Sequence, residues 1–450
     1  MTTSLGGAGG GSGGASGTRS SGLAPRATPF SPLDGLRYGA LGAPLAFAAL
    51  PLYVLLPNHY AAQLGVPLAG LGAVLLGTRA LDALIDPALG RWVDQGLGRP
   101  RAQVIGGAAA AALLMAAGFV ALFFPPAAVV TQGSAALLAW CAVMVIITCL
   151  GYSALGVLHQ AWGARLGGGE AAQARIVGWR EGLSLAGVLA ASVLPALAGI
   201  SVMVATCGVL LVLALWGLSA APFRAAPPRL ARPDAAGARA WALPWRVPAF
   251  RRLMAVFLLN GVASAIPATL VIFFIRDRLQ APAWEPVFLG SYFAAAALSM
   301  PAWVRAVARF GLLRCWLAGM GAAVAAFVWA ARLGAGDTAA FTAICLVSGA
   351  ALGADLAVPS ALLAGVIRRA GHALRHEGSY FGWWTCANKL NLALAAGLAL
   401  PALQALGYAP GARGEAALTS LALIYAALPC LLKAGAAALL WHHRLHLDRP

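Results

Sequence analysis

The stretch RALDALIDPALGRWVDQ, residues 79–95, follows directly on the apolar run VPLAGLGAVLLG, residues 66–77, yet carries Arg79 and three aspartates. Asp82 and Asp86 are four residues apart, so on a helix they share a face, with Arg79 about 60° away at ~100° per residue. Asp82 lies nine residues before Arg91, which places it about 13–14 Å below the membrane edge, near the middle of a ~30 Å hydrocarbon core. Asp86 is shallower and Arg79 deeper. An Arg79–Asp82 pair that only fixes packing would leave Asp86 without a partner on its own helix, so another helix or a hydrated cavity must supply a cation. Two adjacent carboxylates offer hard oxygen ligands that suit Na+, or a proton shared between them.

The surrounding composition is that of a membrane protein. The 450 residues are 61% hydrophobic and only 10% charged, with a mean hydropathy of +0.80; soluble domains carry about 25% charge. The formal net charge is +17, but the arginines cluster in short connections between apolar runs. That pattern follows the positive-inside rule and excludes a nucleic-acid partner in favour of the lipid bilayer. The seven cysteines are scattered through apolar runs without C-x-x-C or Cys/His grouping, which predicts packing residues rather than disulfides or zinc ligands.

Apolar runs of about 20 residues predict twelve spans, at 38–57, 67–90, 103–124, 134–158, 176–197, 200–221, 252–275, 287–307, 312–333, 338–366, 379–405 and 416–440. Arginine-rich connections follow the even-numbered spans, which puts both termini in the cytoplasm. The expected organisation is a disordered Gly/Ser-rich tail (1–34), a six-helix bundle (35–222), a Pro/Arg/Ala linker (223–250), a second six-helix bundle (251–442) and a short tail (443–450). WVDQGLGRPR after span two is echoed by WVRAVARFGLLR at the equivalent place in the second half. The fold class is all-α integral membrane, twelve transmembrane helices in two six-helix bundles.

Ionisable groups at bilayer depth are costly and mark function. Lys389 stands ten residues into span eleven and is one of only two lysines in the chain. Its compact ammonium, paired with Asp82 or Asp86 across the halves, would link cation occupancy to closure. Asp355 is a further deep carboxylate in span ten, Arg180 and Glu181 open span five at the interface, and Lys433 is placed to snorkel. Asn260 and Tyr152 can line a cavity. Trp162, Trp179, Trp383 and Trp384 fit an aromatic belt.

DALIDPALGRWVDQGLGRPR, residues 82–101, resembles the signature of the melibiose-carrier-like branch of the major facilitator superfamily, the glycoside–pentoside–hexuronide:cation symporters. YGALGAPLAF (38–47), HQAWGARL (159–166), GWREGLSLAG (178–187) and EGSYFGWWTCANKLNLAL (377–394) are similar to that family's helices one, four, five and eleven. The resemblance runs along most of the chain and implies a cation-coupled symporter with no cofactor beyond Na+ or H+, working as a monomer in a bacterial inner membrane. It implies a coupling site of Asp82, Asp86, Tyr152 and Ser153, with Lys389 joining it to the substrate. Arg180, Lys389, Asn260 and Asp355 form the expected substrate side, and Asp94, Gly98, Arg99 and Arg101 a gating loop. Where the sugar carriers use acids on helices one and four, this chain has Ala46 and Gly156, and AGVIRRAGHALRHEG (364–378) replaces their acidic stretch after helix ten. The cation machinery is retained while the sugar grip is not, so a small organic solute or a lysolipid-like amphiphile are both open as substrates. An intramembrane prenyltransferase could also use a DxxxD helix, but it needs a second aspartate-rich motif, and the sequence has none.

Overall fold

The computed structural model describes residues 30–224 and 242–448, which are helical almost throughout. Ten helices among them are long and apolar enough to cross a bilayer. α1 (32–63) opens on a capping box in which Ser31 and Asp34 satisfy each other's backbone N–H groups, with Pro32 in the first turn. It then continues through two π-helical turns, Pro51–Leu55 and His59–Gln63. α2 (Leu68–Leu97) has 30 residues, about 45 Å of helix. α3 (Arg101–Phe123), α4 (Ser134–Arg165), α5 (Glu170–Pro195) and α6 (Leu197–Ala220) complete the first half. The second half comprises α7 (Pro248–Arg278), α8 (Pro282–Phe310), α9 (Leu312–Arg332), α10 (Thr338–Arg369), α11 (Glu377–Ala405) and α12 (Glu415–Leu445). Gly199, at φ 81°, kinks the chain near the start of α6, and Gly311, at φ 80°, separates α8 from α9. Both adopt the left-handed backbone that a β-carbon disfavours.

Several helices overrun the predicted spans at the arginine-rich end: α2 reaches Leu97, α4 Arg165 and α10 Arg369, while α5 begins at Glu170. Hydropathy marks where lipid stops, whereas the backbone hydrogen bonds continue beyond it. The predicted tails and linker shift for the same reason. Helix begins at Pro32 inside the 1–34 segment, and α7 starts at Pro248 inside the 223–250 segment. Helix also continues to Asp448 inside the 443–450 segment. Residues 1–29, 225–241 and 449–450 of those predicted segments lie outside the described residues.

Leu197, Trp216, Leu298 and Leu431 are among the most exposed side chains, as expected of a surface that meets lipid rather than water. All seven cysteines are free, five of them buried. The four tryptophans expected in a belt pack against protein instead. Trp162 is buried and donates to the Pro222 carbonyl at 2.7 Å, while Trp384 stacks on Phe257 at 3.7 Å between centroids. Trp383 meets Trp245 edge to face, and Trp179 covers Gly35. Helix overhang at this end gives these rings protein to pack against. Between the halves, α2 lies along α11, α4 touches α11, and α5 packs on α8 and α10.

Candidate functional site

Glycine sets the crossing of α2 and α11. A β-carbon at Gly90 would come within 2.2 Å of the Gly378 carbonyl oxygen, and one at Gly382 within 2.6 Å of the Asp86 carbonyl oxygen. Such residues let helix backbones touch inside a membrane. Asp82, Asp86 and Gly90 recur at four-residue spacing on α2, as do Gly378 and Gly382 on α11, with Lys389 seven residues further; each set shares a face. The helices run antiparallel along this seam, so it brings Lys389 to both carboxylates. Gly90→Val is therefore expected to force the seam apart and speed amide hydrogen exchange over residues 377–385. Exchange equal to wild type would show that the glycine contact does not hold the crossing.

The lysine Nζ lies 2.6 Å from Asp82 Oδ2 and 2.9 Å from Asp86 Oδ1. It also donates to Ser153 Oγ at 2.8 Å, and that hydroxyl donates onward to Asp82 Oδ1 at 2.9 Å. Both aspartates are buried, and Asp86 Oδ2 has no hydrogen-bond partner. Within the hydrogen-bonded cluster two carboxylates share one ammonium. Tyr152, expected with Ser153 beside the aspartates, packs in part against the apolar core. Arg79, expected inside with the aspartates, is exposed, and Asp82 takes an ion pair from the opposite half.

The arginine-rich end is closed by bonds that cross between the halves. Asp94, in the last turn of α2 rather than in a loop, accepts from Gly378 N at 2.6 Å, Ser379 N at 2.8 Å and Ser379 Oγ at 2.6 Å. It thus caps the first turn of α11, whose N–H groups have no partner within their own helix. Glu170 does the same for α9, accepting from Leu312 N at 2.9 Å. Arg165 Nε meets Glu377 Oε2 at 3.0 Å while Arg165 Nη1 donates to the Leu97 carbonyl at 2.7 Å. Glu377 also accepts from Leu374 N.

Of the predicted gating loop, only Asp94 reaches the other half. Arg101 donates to the Ser219 and Ala221 carbonyls, clamping the end of α6 within its own half. Gly98 and Arg99 are exposed, because α2 extends far enough to carry Asp94, and not the loop, to the interface. Arg165, Glu170 and Glu377 went unrecognised in the sequence, where charges at span ends looked like topology markers alone.

The expected substrate-side residues divide among three places. Arg180 is ten residues into α5 and buried, so it is not interfacial; it pairs with Glu181 at 2.6 Å and donates to Ser360 of α10 at 3.2 Å. Lys389 belongs to the aspartate pair. Asn260 and Asp355 join Lys433 inside the second half, where the lysine Nζ lies 2.7 Å from Asp355 Oδ2 and 2.8 Å from Asn260 Oδ1. Lys433 therefore does not snorkel; it is held by internal acceptors.

Over residues 35–449 the chain matches the family described as MFS/sugar transport protein. It belongs to that family. The major facilitator resemblance read from the sequence agrees with this membership, and the protein is an integral membrane secondary transporter, not an enzyme. Among curated proteins, none matches the sequence. Solved structures share the MFS fold. A bacterial homologue of the iron transporter ferroportin, in an outward-facing state, has a TM-score of 0.66 at 17% identity, covering 90% of this chain and 99% of its own. The E. coli fucose:proton symporter FucP has a TM-score of 0.61 at 13% identity, covering 90% and 97%. The human organic anion transporter MFSD10 has a TM-score of 0.60 at 18% identity, covering 91% and 98%. Identities this low establish the fold alone.

Proposed function

We propose that this MFS transporter is a symporter driven by Na+ or H+, with Asp82 and Asp86 as the coupling site. The observation that carries this reading is the pair of buried carboxylates at the seam, held by one ammonium from the other half, with an Asp86 oxygen that has no hydrogen-bond partner. A buried carboxylate oxygen without a partner is costly, and a monovalent cation or proton gives it one. Because Lys389 reaches across from the second half, a cation that takes over the carboxylates also loosens a tie between the halves. Occupancy and alternating access are then linked, and by reciprocity substrate binding alters cation affinity. With the arginine-rich end in the cytoplasm, the closed end corresponds to an outward-facing state.

The substrate is a small organic solute. The positions where sugar carriers of the resembled branch grip hydroxyls are Ala46 and Gly156, neither of which offers a polar side chain. Coupling is tested on the purified chain by following thermal unfolding against Na+, with choline at equal ionic strength, and against pH. A rise in melting temperature with one of these cations is expected in the wild type and should be lost in the Asp82→Asn/Asp86→Asn double variant. Identical responses in the two proteins would remove the coupling assignment.

A further inference from the structure

Of 31 basic residues only Lys389 and Lys433 are lysines, and each ends in an ion pair with aspartate inside a membrane span. An ammonium on a flexible stem re-aims among acceptors more readily than the fixed fork of a guanidinium. An ion pair that merely packs helices gains little over apolar residues of the same volume. The Lys433 cluster also repeats the Lys389 cluster. Each has an ammonium, an aspartate and a serine hydroxyl, Ser153 in one and Ser264, at 3.1 Å from Nζ, in the other. The Lys433 cluster has one carboxylate fewer, and where Lys389 faces its second carboxylate, Lys433 faces a cavity.

That cavity, about 200 Å³, is enclosed by α7, α8, α9, α10 and α12, and both Lys433 and Asp355 line it. Cys345 on α10 is ten residues from Asp355, and Tyr425 on α12 eight from Lys433. At 1.5 Å per residue the charged pair is thus about 12–15 Å from the other end, which is apolar and aromatic, with Phe288, Phe327 and Tyr425. Phe293 of α8 is among its lining residues.

Asp355 does not depend on Lys433 alone. Its Oδ1 accepts from Trp316 Nε1 at 2.8 Å and Asn260 Nδ2 at 3.2 Å. Lys433, by contrast, spends two of its donors on neutral acceptors, Asn260 Oδ1 and Ser264 Oγ. An arriving anion would replace a neutral acceptor with a charged one, forming a stronger bond. An arriving cation would have to displace donors already on Asp355.

We propose that this cavity is a binding site for a small amphipathic carboxylate, its head on Lys433 and its apolar body among the aromatic rings. The assignment does not rest on cation coupling. It is tested by binding to the purified full-length chain without any gradient, so failure of the coupling site leaves the outcome untouched. The probes are phenylbutyrate, phenylbutylamine and phenylbutanol, read by thermal unfolding. Phenylbutyrate should raise the melting temperature in a dose-dependent way while the amine and alcohol do not. Lys433→Met should weaken apparent carboxylate affinity about tenfold or more, the loss of one charge-assisted bond. Ala323→Phe, which fills the cavity and leaves the ion pair in place, should do the same even if the lysine variant fails to fold. Equal responses to all three probes, a preference for the amine, or an unchanged carboxylate response in Ala323→Phe would overturn the proposal.

Discussion

Lys389→Met is expected to destabilise the protein by about 3–5 kcal/mol, the usual cost of removing one partner from a buried ion pair. The loss is at the high end because the ammonium serves two carboxylates and a serine at once. What remains are Asp82 and Asp86, both buried and one turn apart, with the Ser153 hydroxyl on Asp82. Adding Asp86→Asn to Lys389→Met should recover a substantial part of the stability, since it removes one of the two stranded charges, and the pair should be strongly non-additive. Lys389→Arg keeps the charge but not the point geometry. A planar fork cannot reach Asp82, Asp86 and Ser153 along the same directions, so stability should survive better than transport does. Thermal unfolding of the wild type, Lys389→Met, Asp86→Asn and the double variant measures the first effect. Additive losses in the double variant would show that the lysine does not neutralise this pair, and a fully active arginine variant would remove the argument for a compact ammonium.

Arg165→Ala is expected to open the arginine-rich end. Arg165 and Glu377 are each only 2% exposed, and the arginine also holds the Leu97 carbonyl at the end of α2. Its loss leaves a buried carboxylate unpaired and a helix C-terminus uncapped, again about 3–5 kcal/mol from the closed arrangement. An equilibrium between two states balanced within a few kcal/mol is inverted by such a change. Spin labels at Gln95 and Arg375, exposed positions on opposite halves of this end, should move to longer distances. The reversed pair, Arg165→Glu with Glu377→Arg, should not restore closure, because each original residue makes a second bond that its replacement cannot. Unchanged distances in Arg165→Ala would assign closure to Asp94 and Glu170 instead.

Much of this was legible in the sequence, and what was not shares a cause. The ten helices long and apolar enough to cross a bilayer follow from lipid's demand for apolar length. The meeting of Asp82, Asp86 and Lys389 was legible because four-residue spacing and the scarcity of lysine each single those residues out. Glu170 capping α9 and Arg165 meeting Glu377 join residues 142 and 212 apart in sequence. No periodicity links such partners, and positive-inside topology already explained a charge at a helix end. Lys433 was read as snorkelling because distance to the nearest polar end was the available measure, and its partners lie on other helices. Arg79 shows the limit of helical projection: about 60° from the buried acidic stripe, it is exposed.

The confinement of both lysines to the membrane interior has a chemical corollary. Apart from the chain's α-amine, the protein presents no primary amine on its outer surface, since every other basic side chain is a guanidinium or an imidazole. Biosynthetic incorporation of ¹⁵N-lysine would thus place label only at Lys389 and Lys433. The second half of the molecule then holds both reporters, one at the seam with the first half and one inside its own bundle, and the two signals can be followed independently through the transport cycle.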